Sequence, residues 1–136
     1  MLEEQLLKNK ILRTSGAFSI QKTSRDMVES LRFATNLLEN PDNMLLLYPQ
    51  GRIESMHNAV PTVEKGWFRI VSQLKNQAVQ IIFYTALVDY MQHEKPTLYI
   101  SLQSHNAQLP YNFEELKHSF LAHYAKIKEE QGMSFQ

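Results

Sequence analysis

The alternation of strand-like and helix-like stretches predicts an α/β fold, with a mixed, mostly parallel sheet flanked by helices. Three observations carry that prediction. Apolar residues recur at helical spacing over 25–39, 63–74 and 113–127. β-rich runs lie at 16–21, 44–48, 79–88 and 97–102. Glycine and proline number only 4 and 5, so no long flexible linker is expected and 1–136 reads as one domain.

The elements follow in order. Residues 2–8 read as the end of a helix, and 16–21 as a short strand opening on Gly16 and Ala17. Met27, Val28, Leu31, Ala34, Leu37 and Leu38 then fall on one helical face. Ser24 is placed to cap that helix, and Pro41 lies just past its end. Met44 to Tyr48 is an unbroken apolar run, the pattern of a strand buried on both faces. A polar loop runs from Pro49 to Pro61. Val63, Trp67, Ile70, Val71 and Leu74 make the next amphipathic stripe. At that spacing Trp67 reads as core rather than as a ligand contact. The runs 79–88 and 97–102 have no helix between them, so the sheet is expected to be mixed. Phe113, Leu116, Phe120, Tyr124 and Ile127 form the clearest helical stripe. Asn112 sits at its N-cap, with Glu114 and Glu115 in the first turn and Lys126 and Lys128 in the last. Each charge suits the helix dipole.

Composition removes several function classes. Lys and Arg total 14 against 14 for Asp and Glu, so the broad basic face of a nucleic-acid binder is not expected. The absence of cysteine excludes disulfides, thiolate metal sites and a cysteine nucleophile, and fits a cytoplasmic setting. No apolar run approaches the roughly 20 residues that span a bilayer, and the start Met1-Leu2-Glu3-Glu4 is acidic, unlike a secretory signal. No Gly-x-Ser-x-Gly elbow and no glycine-rich phosphate loop is present. His118 and His123 are a poor match to the i, i+4 spacing of a metal pair. They read as helix-surface residues, and no metal site is expected.

In an open α/β sheet, ligands bind in loops beyond the carboxyl ends of the strands. Two loops qualify. In the first, Lys22, Thr23, Ser24 and Arg25 lead into a helix N-terminus, where backbone N–H groups and two cations favour an anion. Taken alone, these residues read first as a capped helix with two solvated charges. In the second, a strand ends in Tyr48-Pro49-Gln50-Gly51-Arg52. Gly51 permits a positive φ or a close approach of backbone to ligand, and Arg52 offers a planar fork suited to phosphate. A plain strand-end turn with an exposed arginine is the alternative.

These loops, taken in order, resemble those of the glycerolipid (PlsC-like, lysophosphatidic-acid) acyltransferases. That family carries four ordered blocks: His-x4-Asp, Gly-x-Phe-x-Ile-x-Arg, Phe-Pro-Glu-Gly-Thr-Arg-Ser, and an apolar strand with Val-Pro-Ile. Gly16-Ala17-Phe18-Ser19-Ile20-Gln21-Lys22 is similar to the second, with Lys for Arg. Tyr48-Pro49-Gln50-Gly51-Arg52-Ile53-Glu54-Ser55 is similar to the third, with Tyr for Phe, Gln for Glu, and the Arg and Ser each shifted by one position. Lys65-Gly66-Trp67-Phe68 resembles the element after it, and Val79-Gln80-Ile81-Ile82-Phe83 takes the fourth block's place. The likeness covers roughly residues 2–102. The first block is missing: His57, His93, His105, His118 and His123 all lie downstream of the second block, and none begins His-x4-Asp.

The resemblance implies acyl transfer from an acyl thioester, on coenzyme A or a carrier protein, to a lipid precursor, with no bound cofactor. It implies that Lys22, Arg25 and Arg52 hold the acceptor's phosphate, that Gly51 admits it closely, and that the Gln50 amide positions its hydroxyl. The family's base, the block-one histidine that deprotonates the acceptor, is expected upstream in a longer reading frame. This chain alone is then inactive and supplies the acceptor-binding part. A non-catalytic lipid- or phosphate-binding module is the second reading. Peripheral contact with the inner face of the membrane accompanies the first. If block one is deleted, apolar surface that it covered is bare, and a homodimer is expected.

Overall fold

The computed structural model describes residues 14, 16–17, 24–52, 54–55, 58, 60–74, 79–90, 94–106 and 109–133. Among the described residues five elements follow one another: α1 (Ser24–Leu37), α2 (Phe68–Ser72), β1 (Ile81–Asp89), β2 (Thr97–His105) and α3 (Phe113–Met133). Among the described residues the sheet has two strands, β1 and β2, paired antiparallel with Ile81 opposite His105 and Asp89 opposite Thr97.

The mixed, mostly parallel sheet is therefore corrected to an antiparallel hairpin with helices. The connection 90–96 is short enough to turn back on itself, whereas a parallel pair needs a crossover of a dozen or more residues. The helix expected over 63–74 was to carry such a crossover from the run 44–48 to β1. It shrinks to the five residues of α2, because Gly66 falls in its first turn and the Trp67 cap position makes no side-chain cap bond. The run 44–48 is extended but belongs to no ladder. Nor is it buried on both faces: Leu45 and Leu47 pack against the core, while Leu46, Tyr48 and the 91% exposed Met44 face outward. Of the expected strand 16–21, Gly16 lies in a turn with φ +79 and residues 18–21 fall outside the described residues, as does the helix end at 2–8.

The remaining helices form where their patterns place them, except that the last one, α3, runs on to Met133, so Lys126 and Lys128 do not fall in its last turn. α1 stops at Leu37, whose carbonyl accepts a hydrogen bond from Asn43 Nδ2 at 2.8 Å. The turn 40–43 that follows is closed by Asn43 N donating to Asn40 O at 3.1 Å, with Pro41 at its second position. α3 begins as its cap predicts: Asn112 Oδ1 accepts from Glu114 N at 2.9 Å and from Glu115 N at 3.4 Å.

Two apolar clusters share a wall. Leu31, Ala34 and Ile70 form one, with Leu38, Leu45 and Leu47 against it. Val71, Tyr111 and Leu116 form the other, joined by Trp67, Phe68, Val79 and Ile81. Ile70 and Val71 are neighbours on α2, so this single turn of helix serves both clusters. The Tyr111 hydroxyl accepts from Val79 N at 3.0 Å and donates to Val79 O at 3.3 Å, fixing the chain just ahead of β1. Trp67 is half-buried, its ring 6.1 Å from Phe68 and 6.2 Å from Phe113.

The α3 stripe carries a second correction. His118 is exposed as expected, but His123 is 3% exposed and sits in the core. Its Nδ1 lies 2.8 Å from Gln103 Oε1, and its ring is 6.2 Å from Phe83. Spacing explains it: 113, 116, 120, 123 and 127 keep a strict three-four alternation, so position 123 faces the hairpin whatever residue fills it. Tyr124, chosen for its apolar ring, is turned toward the loop instead, where its hydroxyl donates to Asn58 O at 3.3 Å.

Candidate functional site

The chain leaves the extended run 44–48 through a turn at 48–51. Gly51 N donates to Tyr48 O at 3.3 Å, and Pro49 presets the second position of that turn. Gly51 takes φ +66, and a Cβ there would stand 3.1 Å from Glu64 Cγ. The close approach that only glycine allows is thus to the loop's own far end. There Glu64 N donates to Pro49 O at 2.8 Å, so residues 49 and 64 close a loop base to base.

Arg52 sits just past the turn, its side chain 66% exposed. Its Nε donates to Glu54 Oε1 at 2.8 Å and its Nη2 donates to Thr62 Oγ1 at 2.8 Å. Thr62 N donates to the other carboxylate oxygen, Glu54 Oε2, at 2.9 Å. Hydrogen bonds from Thr62, side chain and backbone, and then the Arg52 guanidinium hold the Glu54 carboxyl down to about 2. Glu54 is ionised at any ordinary pH, and the guanidinium plane is fixed by two partners on one side. The hydrogens of Nη1 are not used in those two bonds, which leaves a further donor face for an anion.

Ahead of Thr62 the loop meets α3. Asn58 O accepts from Lys128 Nζ at 3.0 Å as well as from Tyr124. Between loop and helix lies an apolar groove of about 310 Å³, walled by Val60 and Pro61 on one side and by His118, Leu121, Ala122 and Ala125 on the other. Pro61 and Thr62 are consecutive, so the residue that grips Arg52 follows directly on a wall of the groove.

The expected site residues divide. Gln50, Gly51 and Arg52 share the loop, with Gln50 half-buried. Arg25 lies in the first turn of α1. Lys22 lies outside the described residues. Glu54 and Thr62, which orient Arg52, were not singled out from sequence. The Arg-x-Glu spacing in an extended loop was a signal for the first, since alternate residues share a side; nothing local pointed to Thr62. Among the described residues no group of three or more His, Asp or Glu could hold a metal, and no helix is long and apolar enough to cross a membrane. No family model matches the chain, and no curated protein and no solved structure matches it.

Proposed function

We propose that this chain is the acceptor-binding part of an acyltransferase domain, which in complete form moves an acyl group from a coenzyme A or carrier-protein thioester to a phosphate-bearing lipid precursor. One observation carries the reading: a pre-oriented, exposed guanidinium and an apolar groove are joined through consecutive residues, Pro61 and Thr62. A ligand with an anionic head and an apolar tail suits that pairing. Arg52 binds the phosphate, with Lys22 and Arg25 as the second cationic loop, Gln50 positions the acceptor hydroxyl, and Gly51 keeps the turn that holds them. The domain works in the cytoplasm, touching the membrane's inner face peripherally where the lipid is found.

The catalytic base is not among these residues. In the proposed reaction a histidine from a preceding segment removes the acceptor's hydroxyl proton, the oxygen attacks the thioester carbonyl, and the thiol leaves. Without that segment the same geometry serves a lipid- or phosphate-binding module, the second reading.

The test has two parts. Lysophosphatidic acid below its micelle concentration is titrated into the chain and into Arg52→Ala, whose fold is checked by circular dichroism. The loss of one charge-assisted contact is expected to weaken binding about ten-fold or more; equal affinity removes Arg52 from the site. The chain and the longest in-frame product that contains it are then assayed for acyl transfer to lysophospholipids. Activity in the longer product alone supports the enzyme; binding without activity in either supports the module.

A further inference from the structure

The two faces of the hairpin differ completely. Phe83, Thr85, Leu87 and Asp89 of β1 are buried toward the helical side. The opposite face carries Ile82, Tyr84, Ala86 and Val88 from β1, and Leu98, Ile100, Leu102 and Ser104 from β2. The register sets Tyr84 beside Leu102, Ala86 beside Ile100 and Val88 beside Leu98, so these side chains form one continuous surface. Five of the large ones, Ile82, Tyr84, Leu98, Ile100 and Leu102, are between 45% and 66% exposed. None of the eight residues is charged.

We propose that this face is a self-association surface, covered by the same face of a second copy of the chain. Three features select that occupant. First, size: the five large side chains expose on the order of 500 Å² per copy. Doubled, and with a rim added, this reaches the ~1,200 Å² of total buried area at which stable interfaces begin. Second, charge: a face without Lys, Arg, Asp or Glu meets its own copy with no repulsion, and it lacks the cations that would hold it to an anionic lipid surface. Third, the edges: among the described residues no third strand pairs with β1 or β2. Unpaired backbone groups at a sheet edge cannot be sunk into hydrocarbon, whereas sheet-on-sheet packing leaves them at its wet rim. Two such faces stack at about 10 Å, with the hollow over Ala86 opposite a bulkier side chain of the partner.

The proposal does not depend on the acyl-transfer reading. Sedimentation velocity of the full chain is expected to show a dimer at tens of micromolar. Leu102→Lys and Ile100→Lys change exposed positions, so the circular dichroism spectrum should persist while the dimer's dissociation constant rises about 100-fold. An independent variant needs no loss of folding or affinity. The chain has no cysteine, so Ala86→Cys places a single thiol at the centre of the face. A bis-maleimide with a reach of about 10 Å should then link two copies, and Met44→Cys, off the sheet, should not be linked. A monomer at all concentrations overturns the proposal. So does a dimer indifferent to both lysine variants, or an Ala86→Cys chain that cross-links no better than Met44→Cys.

Discussion

The stretch from β1 to α3 and the stretch from Met44 to Glu64 hold their shape by different means. In the first, apolar side chains at regular spacing meet across elements: Phe83 on Phe120 at 5.8 Å, Leu116 against Val71 and Tyr111. In the second, among the described residues, there is no ladder and no helix. An extended run lies with two leucines on the core, and the loop after it is held by polar bonds among Arg52, Glu54 and Thr62 and by backbone bonds from Gly51 to Tyr48 and from Glu64 to Pro49. Apolar packing fixes a scaffold. The polar network fixes one side chain, Arg52, in a place that solvent reaches. The division matches what each stretch is proposed to do, since loops positioned by a packed frame are where binding residues collect.

The comparison is tested most severely in the scaffold. Leu116 is 1% exposed, and Leu116→Ala should cost about 2–5 kcal/mol in urea-induced unfolding. Met44→Ala, one residue into the extended run, should cost less than about 0.5 kcal/mol. Equal losses would mean that the run is as much a part of the core as α3. A smaller effect belongs to the loop. Gly51→Ala combines positive φ with a 3.1 Å contact to Glu64 Cγ and should cost about 1–2 kcal/mol. It should also weaken lysophosphatidic acid binding, because Arg52 follows the turn. A neutral Gly51→Ala would show that the turn is not what places the guanidinium.

The gentlest effect is a slope. Burial lowers the pKa of His123 below its usual value, and Lys126 adds to this, while Glu130 and a backbone bond at Ser101 oppose it. Gln103 and Phe83 face the ring from the hairpin, and His105 packs on Phe83 at 5.1 Å. The folded state therefore holds a neutral imidazole where the unfolded chain takes a proton. Stability from this group is full above the unfolded value near 6.5 and declines as pH falls through it, levelling off once the folded pKa is passed. Urea midpoints between pH 8 and 5 should fall for the native chain and fall less for His123→Gln. Parallel curves would place the titrating group elsewhere.

Helix α3, its Asn112 cap and the two β-rich runs of the hairpin were legible in sequence because each is decided by neighbours within a few residues. The glycine turn at 51 was legible for the same reason. That 44–48 joins no sheet was not, because Met44 to Tyr48 is apolar enough for a central strand and nothing local reveals whether a partner lies beside it. The burial of His123 was readable from its place in the 113–127 stripe; its five-residue gap to His118 speaks to metal pairing and not to burial. The Arg52–Glu54 half of the network lay within reach of the sequence. Its Thr62 half did not, since that contact joins residues ten apart across a closed loop.

The Tyr111 hydroxyl has a consequence for the order in which the chain assembles. It pairs both backbone groups of Val79, 32 residues earlier. Closing a segment of that length costs about 3 kcal/mol in chain entropy, more than two hydrogen bonds return at about 1 kcal/mol each. The clasp is therefore a late event that follows the hairpin and the seating of α3. On a growing chain β1 and β2 are both made before the tyrosine that will fasten them, and the start of the sheet waits for a residue on the far side of its own turn.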